Sequence, residues 1–367
     1  MVAVSLKKGD TLPAEAIGSA AYYPAIPRLG IPALQQSDAS LGVSALGGVR
    51  PGDHATALAS SLALGASFDP DLAQITGEML GREAFGKGFN VQLAGGANLI
   101  REPRGGRNFE YISEDPLLTG VITGHSVRGI QSQHVVSTVK HFAVNAQETG
   151  RVLADSRISE SALRESDLLA FELAIDIGKP GAVMPGYNLV NGEWASENHF
   201  LLSQVLKGDW HYAGWVMSDW GATHSATKAV RAGLDVQSGA NLDTCVWFDQ
   251  PLRDAMAQGE ITEDQIDGMI QRILRSLFAC GAIQHPAQRG NRLDYSWHQL
   301  IAQREAEQGI VLLKNAQQTL PLAPELNRIV VIGAHADKGV LAGGGSSAVT
   351  PQGSFCLLYT SPSPRDS

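Results

Sequence analysis

The stretch VMSDWGATHS (Val216 to Ser225) contains a short apolar run that stops at a carboxylate. Trp215 to Met217 lead into Ser218 and Asp219, and Trp220 and a glycine follow directly. This order is typical of a buried strand that carries one charged side chain to its open end. Asp219 is therefore either the cap of a following helix or a residue with a chemical role.

Apolar runs of the same kind recur along the chain and alternate with helix-like segments such as Glu160 to Ile177. This alternation predicts parallel βαβ units. Nearly every run stops at a polar or charged residue, as in a (β/α)8 TIM-type barrel with its active site at the carboxyl ends of the strands. We therefore predict an α/β fold of this type, with eightfold closure inferred from six runs. The runs are Leu29 to Leu34, Gly88 to Leu93, Val135 to Val139, Gly181 to Met184, Gly214 to Met217 and Ala232 to Val236.

The length and composition set the extent of the barrel. A chain of 367 residues with 44% hydrophobic residues accommodates a barrel of roughly 250 residues and part of a further unit. We place the barrel at residues 1–281, ending with a helix from Thr262 to Cys280. Thr262 and Gln265 have the spacing of a capping box, and Gly281 suits the residue after the helix.

The remaining sequence predicts a linker, a second unit and an unusual tail. Residues 282–298 are rich in Gly, Pro, Arg and Asn, which is typical of a linker. Residues 299–353 predict the start of a second unit, with a helix around Gln299 to Leu313 and a buried strand at Arg328 to Gly333. Residues 354–367 have no periodicity, and we expect them to be a foreign end.

Composition excludes several classes of function. The net charge of −9 argues against a nucleic-acid partner, since phosphate binding needs clustered Lys and Arg. No apolar run reaches the length of about 18 residues needed to span a membrane, and no signal peptide is visible in MVAVSLKKGDTLPAE. Cys245, Cys280 and Cys356 form no C-x-x-C pair, and neither a P-loop nor G-x-G-x-x-G is present. We expect no metal and no cofactor, and the oligomeric state stays open.

Polar side chains fall at or just beyond the ends of the predicted strands. Each has an ordinary explanation by itself, such as a helix cap, an ion pair of Arg107 with Glu110, or a buried core histidine. A barrel, however, gathers its strand ends around one mouth. Carboxylates there would accept hydrogen bonds from hydroxyl groups and cations would donate them, so sugar chemistry is the favoured interpretation. The residues are Asp38, Arg107, Lys140, His141, Tyr187 and Asp219.

Four longer motifs make the prediction more specific. They are RGGRNFEYISEDP (Arg104 to Pro116), KHFAVNAQETGR (Lys140 to Arg151), AVMPGYNLVNG (Ala182 to Gly192) and VMSDWGA (Val216 to Ala222). Together they resemble glycoside hydrolase family 3, in its bacterial β-glucosidase branch. The stretch GGGSSAVTP (Gly343 to Pro351) is similar to the loop that opens the family's second domain, so the resemblance implies that residues 299–353 begin an α/β sandwich.

The resemblance also assigns roles to individual residues. It implies that Asp219 is the catalytic nucleophile, which forms a covalent glycosyl-enzyme with retention of configuration. Asp38 lies in Asp-Ala-Ser where the family has Asp-Gly-Pro. The residues implied to bind substrate are Asp38, Arg107, Lys140, His141, Met184, Tyr187 and Trp220.

A retaining enzyme also needs a carboxylic acid about 5–5.5 Å from the nucleophile. In this branch of the family the acid is a glutamate of the second domain, and we expect it beyond the last residue of this chain. Glu148 and Glu165 match positions where the family has structural carboxylates, and we do not assign them. The sequence Lys-His-Phe-Ala-Val-Asn-Ala from Lys140 also departs from the Lys-His-Phe-Pro-Gly-His-Gly of the N-acetylglucosaminidase branch.

Three functions remain open at this level. The first is a retaining exo-β-glucosidase acting on a small-molecule or oligosaccharide substrate. The second is a β-xylosidase or glucan exohydrolase with the same chemistry. The third is a sugar-binding fragment without turnover, because the acid/base glutamate would be missing. Members of the family are often exported, so the resemblance implies a periplasmic or secreted protein.

Overall fold

The computed structural model of the chain describes residues 13, 15–18, 20–45, 49–240, 242–336 and 339–352. At its centre is a six-stranded sheet in the order β1-β2-β3-β4-β6-β9, and beside it lies a small sheet of β5, β7 and β8. The strands are β1 (Ala21–Tyr23), β2 (Leu34–Ser37), β3 (Val91–Gln92), β4 (Val136–Phe142), β5 (Asp155–Ser156), β6 (Ala182–Pro185), β7 (Leu189–Val190), β8 (Glu193–Trp194) and β9 (Trp215–Val216).

The central sheet curls into a barrel of the (β/α)8 type. Its strands from β2 to β9 are parallel, β1 is antiparallel to β2, and Met217 pairs with Val236 to extend the parallel set. The indole Nε1 of Trp220 donates a hydrogen bond to the Ala20 carbonyl at 3.2 Å, which brings the last part of the sheet to the first. Buried apolar side chains from the strands fill the interior: Tyr23, Leu34, Val91, Val136, Ala182, Met184, Trp215, Met217 and Val236.

Helices cover the outer face of the sheet. The pair α2 and α3 packs closely because Gly77 and Gly129 lie at the crossing. A Cβ at Gly77 would lie 2.1 Å from the Ser126 carbonyl oxygen, and one at Gly129 would lie 2.1 Å from that of Gln74. The helices are α1 (Ser61–Ala66), α2 (Pro70–Gly86), α3 (Pro116–Gln131), α4 (Glu160–Glu165), α5 (Asp167–Gly178), a π-helix (Phe200–Asp209), α6 (Ala226–Ala232), α7 (Gln250–Ala257), α8 (Glu263–Cys280) and α9 (Tyr295–Gln308).

Helix α8 begins and ends as the sequence predicts. The Thr262 hydroxyl accepts the Gln265 backbone N–H, and the Gln265 side chain accepts the Thr262 backbone N–H, so the capping box is present. Gly281 adopts a left-handed conformation with φ of 79°, which ends the helix. None of the helices in the described part of the chain is long and apolar enough to cross a membrane.

Two predicted elements in the barrel were wrong in detail. Leu29 to Leu34 is not a strand, because Pro27–Leu29 forms a 3-10 helix that Gly30 ends with φ of 66°, and β2 starts only at Leu34. The single helix predicted at Glu160 to Ile177 is interrupted at Ser166, whose φ and ψ of −123° and −91° are not helical. Both differences arise where the backbone conformation changes locally, and the spacing of hydrophobic residues does not predict such changes.

A third predicted strand, Ala232 to Val236, was also wrong in most of its length. Helix α6 runs through Ala232, and Gly233 ends it with φ of 112°. Of this segment, Val236 alone makes the bridge to Met217. The apolar run therefore belongs partly to a helix and partly to the sheet, which spacing over five residues does not distinguish.

The second unit differs more strongly from the prediction. Its helix is α9, which begins at Tyr295 inside the predicted linker of residues 282–298 and ends before Leu313. Arg328 to Gly333 is not a strand, and Ile329 to Ile332 are exposed. A strand needs a neighbour for its hydrogen bonds, and none of the described residues pairs with this run. Residues 354–367, including Cys356, lie outside the described residues.

A buried charge cluster fixes α8 to the strand that precedes Asp219. The side chain of Asp235 is fully buried and forms ion pairs with Lys207 at 2.9 Å and Arg272 at 2.7 Å. It also accepts the backbone N–H of Val216 at 2.8 Å. Asp235 therefore joins the π-helix, α8 and β9.

We expect Asp235→Ala to lower the free energy of unfolding by about 3 kcal/mol or more, because two partly buried cations would lose their partner. Urea denaturation followed by circular dichroism measures the change. Asp249→Ala is the matched control, since its pair with Arg253 is exposed and should contribute less than about 1 kcal/mol. Equal losses in the two variants would contradict the role of Asp235.

Candidate active site

The polar residues predicted at the strand ends converge at one end of the barrel. Asp38 directly follows β2, Lys140 and His141 lie within β4, and Tyr187 and Asp219 follow β6 and β9. The carboxyl ends of parallel strands share one edge, so these side chains meet there. Arg107 reaches the same place from the loop after β3, just before the 3-10 helix Asn108–Glu110.

Asp219 is not the cap of the helix that follows it. Helix α6 starts at Ala226, and its N-cap is Ser225, whose hydroxyl accepts the Lys228 backbone N–H at 3.3 Å. The Oδ1 atom of Asp219 instead accepts the N–H of Trp220 at 2.8 Å. Its Oδ2 atom is buried and has no hydrogen-bond partner among the described residues. One carboxylate oxygen is thus held by the backbone, while the other faces the His141 ring at 3.6 Å and the nearby Tyr187 hydroxyl without a hydrogen bond of good geometry.

The surroundings of Asp219 act on its pKa in opposite directions. Burial raises the pKa of this carboxyl, while Arg107, the Trp220 N–H and Lys140 lower it, and the net direction is upward. The phenol of Tyr187 also lowers the pKa of Asp219, because its hydroxyl lies close enough to act as a hydrogen-bond donor to the carboxylate. The cations therefore offset part of the cost of holding a carboxylate in a buried site.

Two cations and two carboxylates form a chain of charges beside Asp219. Arg107 donates Nε and Nη2 to the two oxygens of Glu110, at 3.0 and 2.8 Å. The Nζ atom of Lys140 lies 4.0 Å from Glu110 Oε2 and 3.5 Å from Asp38 Oδ1. Burial alone would raise the pKa of Glu110, but Lys140 and Arg107 hold it below its usual range. Glu110 thus stays ionised and fixes both cations.

Asp38 experiences a different balance. Burial raises its pKa to about 6, since the lowering by Lys140 is opposed by the charges of Glu110 and Asp219. Its carboxylate is ionised at neutral pH and makes its ion pair with Lys140 at one oxygen. Asp38 can therefore accept hydrogen bonds from hydroxyl groups at neutral pH but not in acid.

His141 is held as a neutral imidazole between two partners. Its backbone N–H donates to Asn98 Oδ1 at 2.8 Å, and its carbonyl accepts Asn98 Nδ2 at 2.9 Å. On the ring, Nδ1 lies 3.1 Å from the Tyr111 hydroxyl and Nε2 lies 3.6 Å from Asp219 Oδ2. Burial, with Arg107 and Lys140, lowers the pKa of His141 well below its ordinary value. The contact with Asp219 is therefore not an ion pair.

The three remaining predicted residues line the same region. Met184 is buried in the barrel interior, and Trp220 packs against that interior cluster. A Cβ at Gly239 would lie 2.3 Å from the Trp220 ring, so only glycine fits beside it. Tyr187 is partly buried, and burial and the charge of Asp219 raise its pKa, which keeps the phenol neutral as a hydrogen-bond donor.

Sequence reasoning missed three residues that hold this site together. Asn98 fixes the backbone of His141, Tyr111 contacts its ring, and Glu110 binds Arg107. Glu110 and Tyr111 lie within the motif RGGRNFEY, and Glu110 was considered only as an ordinary ion-pair partner. Among the described residues, no group of three or more His, Cys, Asp or Glu side chains could hold a metal ion.

The amino-acid sequence matches the models of a known family. The model of the glycosyl hydrolase family 3 N terminal domain matches residues 15–276, and that of the family's C-terminal domain matches residues 310–361. The chain belongs to glycosyl hydrolase family 3. The first of these matches covers the residues that form the barrel and the charged site.

Relatives and solved structures agree with this assignment. The chain is 35% identical to thermostable beta-glucosidase B of Acetivibrio thermocellus, over 89% of this chain and 43% of the relative. It is 38% identical to beta-glucosidase B of Emericella nidulans, over 88% and 38%. The chain thus spans about two fifths of the length of these relatives.

Among solved structures, the chain is similar to beta-glucosidase 3B from Thermotoga neapolitana in complex with glucose, with a TM-score of 0.90 and 32% identity. That match covers 97% of this chain and 51% of the other. It is also similar to DesR, a beta-glucosidase from Streptomyces venezuelae in complex with D-glucose, with a TM-score of 0.85 and 35% identity over 93% and 44%.

Proposed function

We propose that this chain provides the catalytic barrel of a retaining exo-β-glucosidase, which hydrolyses terminal β-linked glucose through a covalent glycosyl-enzyme on Asp219. The observation that carries the proposal is the state of the Asp219 carboxylate. It is buried, its Oδ1 is fixed by the Trp220 N–H, and its Oδ2 has no partner among the described residues. The similarity to beta-glucosidases with bound glucose supports glucose as the sugar.

In this proposal Asp219 Oδ2 attacks the anomeric carbon as the glycosidic bond breaks, and water later releases the sugar with retention. Attack requires the ionised carboxylate. Arg107 and Lys140 favour that form, and the neutral His141 beside Oδ2 does not compete for it as a counter-ion. Developing positive charge on the sugar ring is stabilised by the three carboxylates of the site.

The remaining residues bind the sugar hydroxyls and fix the ring. Asp38 accepts hydrogen bonds, and Lys140 and Arg107 donate them while keeping their ion pairs with Asp38 and Glu110. His141 and Tyr187 contribute further polar contacts. Met184 and Trp220 form the apolar side of the pocket. In this proposal one terminal sugar receives hydrogen bonds on its polar side and apolar contacts on the other, as an exo-acting enzyme requires.

The two carboxylates of the charge chain beside Asp219 are not suited to act as the general acid. Asp38 is tied to Lys140 and Glu110 to Arg107, so neither is free to protonate a leaving oxygen beside Asp219. General acid catalysis typically contributes about 10²–10⁴-fold. Its loss matters most for a poor leaving group such as a second sugar, and little for nitrophenolate.

Turnover measurements with this 367-residue chain test the proposal. We expect hydrolysis of nitrophenyl β-glucoside, slower hydrolysis of the β-xyloside, and cellobiose turnover lower by about 10²-fold or more. Glucose binding without any turnover would instead favour a sugar-binding fragment, and faster xyloside hydrolysis would favour a xylosidase. Cellobiose turnover as fast as that of the aryl glucoside would show that an acid is present within the chain.

The pKa of Asp38 predicts an acidic limit to activity. We expect kcat/KM for nitrophenyl β-glucoside to fall as the pH drops through about 6, because protonated Asp38 no longer accepts hydrogen bonds from the sugar. A raised carboxyl pKa places the active, ionised form above pH 6, which sets this direction. In Asp38→Asn the acidic limit should move to lower pH, because it is then set by Asp219, whose pKa is also raised by burial and which loses a neighbouring negative charge; kcat/KM should be low throughout.

A matched control exists for this titration. Burial also raises the pKa of Asp243 to about 6, but its carboxylate accepts hydrogen bonds from Gln237 and Thr223, outside the charge chain. Asp243→Asn should leave the transition in place. If the transition stayed near pH 6 in Asp38→Asn, another group would be responsible for it.

A further inference from the structure

The loop after β4 carries a charged pair at the edge of the candidate site that the proposed chemistry does not use. Arg151 Nη1 lies 2.7 Å from Glu148 Oε2. The guanidinium carbon of Arg151 lies 4.2 Å from the centroid of the Tyr187 ring. Only 32% of the Arg151 side chain and 25% of the Glu148 side chain are exposed. The pair is therefore partly desolvated and is packed against a residue of the site.

We propose that Arg151 is a positioning residue: held by Glu148, it fixes the ring of Tyr187 beside Asp219 and thereby supports the chemical step. The inference rests on the proposed function for its effect on rate. Its structural part, the fixing of the ring, can be measured without activity.

The backbone around Tyr187 is already fixed, which leaves the ring as the mobile part. The Gly186 N–H donates to the Phe142 carbonyl at 3.0 Å. The side chain of Asn188 donates to the Ala143 carbonyl at 3.2 Å. These bonds hold the chain on both sides of Tyr187 but do not set the rotation of its side chain.

Arg151 supplies the missing restraint. A guanidinium placed over an aromatic face is attracted by the negative face of the ring, and more strongly where the pair is partly desolvated. Its fork also binds the carboxylate of Glu148 in a defined direction. The ring of Tyr187 thus has a charged plane against it, while its hydroxyl is near Asp219.

Glu148 connects this restraint to the loop that carries Arg107. A Cβ placed at Gly106 would lie 3.3 Å from Glu148 Cγ, so the stem of Glu148 rests on the residue before Arg107. The charge of Arg151 also lowers the pKa of His141, which shows that it acts on the same group of residues. The Glu148–Arg151 pair therefore joins the Arg107 loop to the Tyr187 loop.

Arg151→Gln tests the inference, with Arg157→Gln as its control. Arg157 directly follows β5, pairs with Asp155 at 2.8 Å and is 78% exposed. We expect Arg151→Gln to lower kcat for nitrophenyl β-glucoside about tenfold, with KM changed less than about twofold. The kcat of Arg151→Lys should lie between those of Arg151→Gln and wild type. Arg157→Gln should have the kcat and KM of wild type. This substrate has no second sugar. If Arg151 only bound a second sugar, kcat and KM of Arg151→Gln would therefore equal those of wild type, and that result would overturn the inference.

A double-mutant cycle shows whether Arg151 acts through Tyr187. In a Tyr187→Ala background, Arg151→Gln should cause no further loss of kcat, because the ring that it positions is gone. Full additivity of the two losses would overturn the inference, as would an equal loss in Arg157→Gln. Thermal unfolding of each variant checks that the fold is retained.

Fluorine NMR of fluorotyrosine-labelled protein gives a readout that does not need turnover. The Tyr187 resonance, assigned with Tyr187→Phe, should shift or broaden in Arg151→Gln and stay unchanged in Arg157→Gln. An unchanged resonance in Arg151→Gln would overturn the inference even in an active enzyme. Wild-type protein without turnover would instead count against the proposed function, and the NMR comparison would still decide whether Arg151 fixes the ring.

Discussion

Asp219→Asn is expected to reduce kcat for nitrophenyl β-glucoside by about 10³-fold or more, because an amide cannot form the glycosyl-enzyme. The fold should survive the change. Asn has nearly the shape of Asp, and its oxygen can still accept the Trp220 N–H that Asp219 Oδ1 accepts at 2.8 Å. Steady-state kinetics and thermal unfolding of the same preparations measure the two quantities.

The alternative for Asp219 is a purely structural role. The activity of Asp219→Asn distinguishes this role from that of a nucleophile. A residue that only fixes the backbone at Trp220 would tolerate Asn with little loss of activity. Because burial raises the pKa of Asp219, removing its charge should leave thermal stability equal or slightly higher. Asp243→Asn serves as the control, since this carboxylate is outside the site. Activity within tenfold of wild type in Asp219→Asn would contradict the proposed nucleophile.

Lys140→Met is expected to lower kcat/KM by about 10²-fold or more. The lysine lies between Asp38 and Glu110, and its charge lowers the pKa of both and that of Asp219. Without it all three pKa values rise, so the acidic limit of activity should move above about pH 6. Methionine keeps most of the apolar stem, which limits the effect of packing.

The pH dependence of kcat/KM in wild type and Lys140→Met measures this shift. Lys179→Met is a suitable control because Lys179 is exposed and pairs with Asp176 at the surface. A limit that moved to lower pH, or a kcat/KM within twofold of wild type, would contradict the proposed role of Lys140.

The part of the site that could be predicted from sequence is the part set by strand ends. Lys140 and Asp219 follow or end an apolar run that forms a strand, and parallel strands bring such positions to one edge whatever their separation in sequence. Asp38 reaches the same edge after β2, although the run predicted before it, Leu29 to Leu34, is not a strand. The capping box at Thr262 was also predictable, since its two partners are three residues apart. Local spacing and strand direction carry this information.

The sequence did not predict the parts of the site that depend on contacts between side chains distant in the chain. Glu110 becomes important only because Arg107 and Lys140 both reach it, and Asn98 only because it lies beside the His141 backbone. The strand expected at Arg328 to Gly333 was wrong for a related reason. An apolar run forms a strand only beside a partner, and spacing within the run does not reveal one.

Covalent labelling with an activated 2-fluoroglucoside tests the central claim most directly. The fluorine slows both steps, and a reactive leaving group lets the glycosyl-enzyme accumulate. Peptide mass mapping of the labelled protein is expected to place the sugar on Asp219, and Asp219→Asn should remain unlabelled. A label on Asp38, Asp235 or any other residue, or labelling of Asp219→Asn at the wild-type rate, would contradict the account.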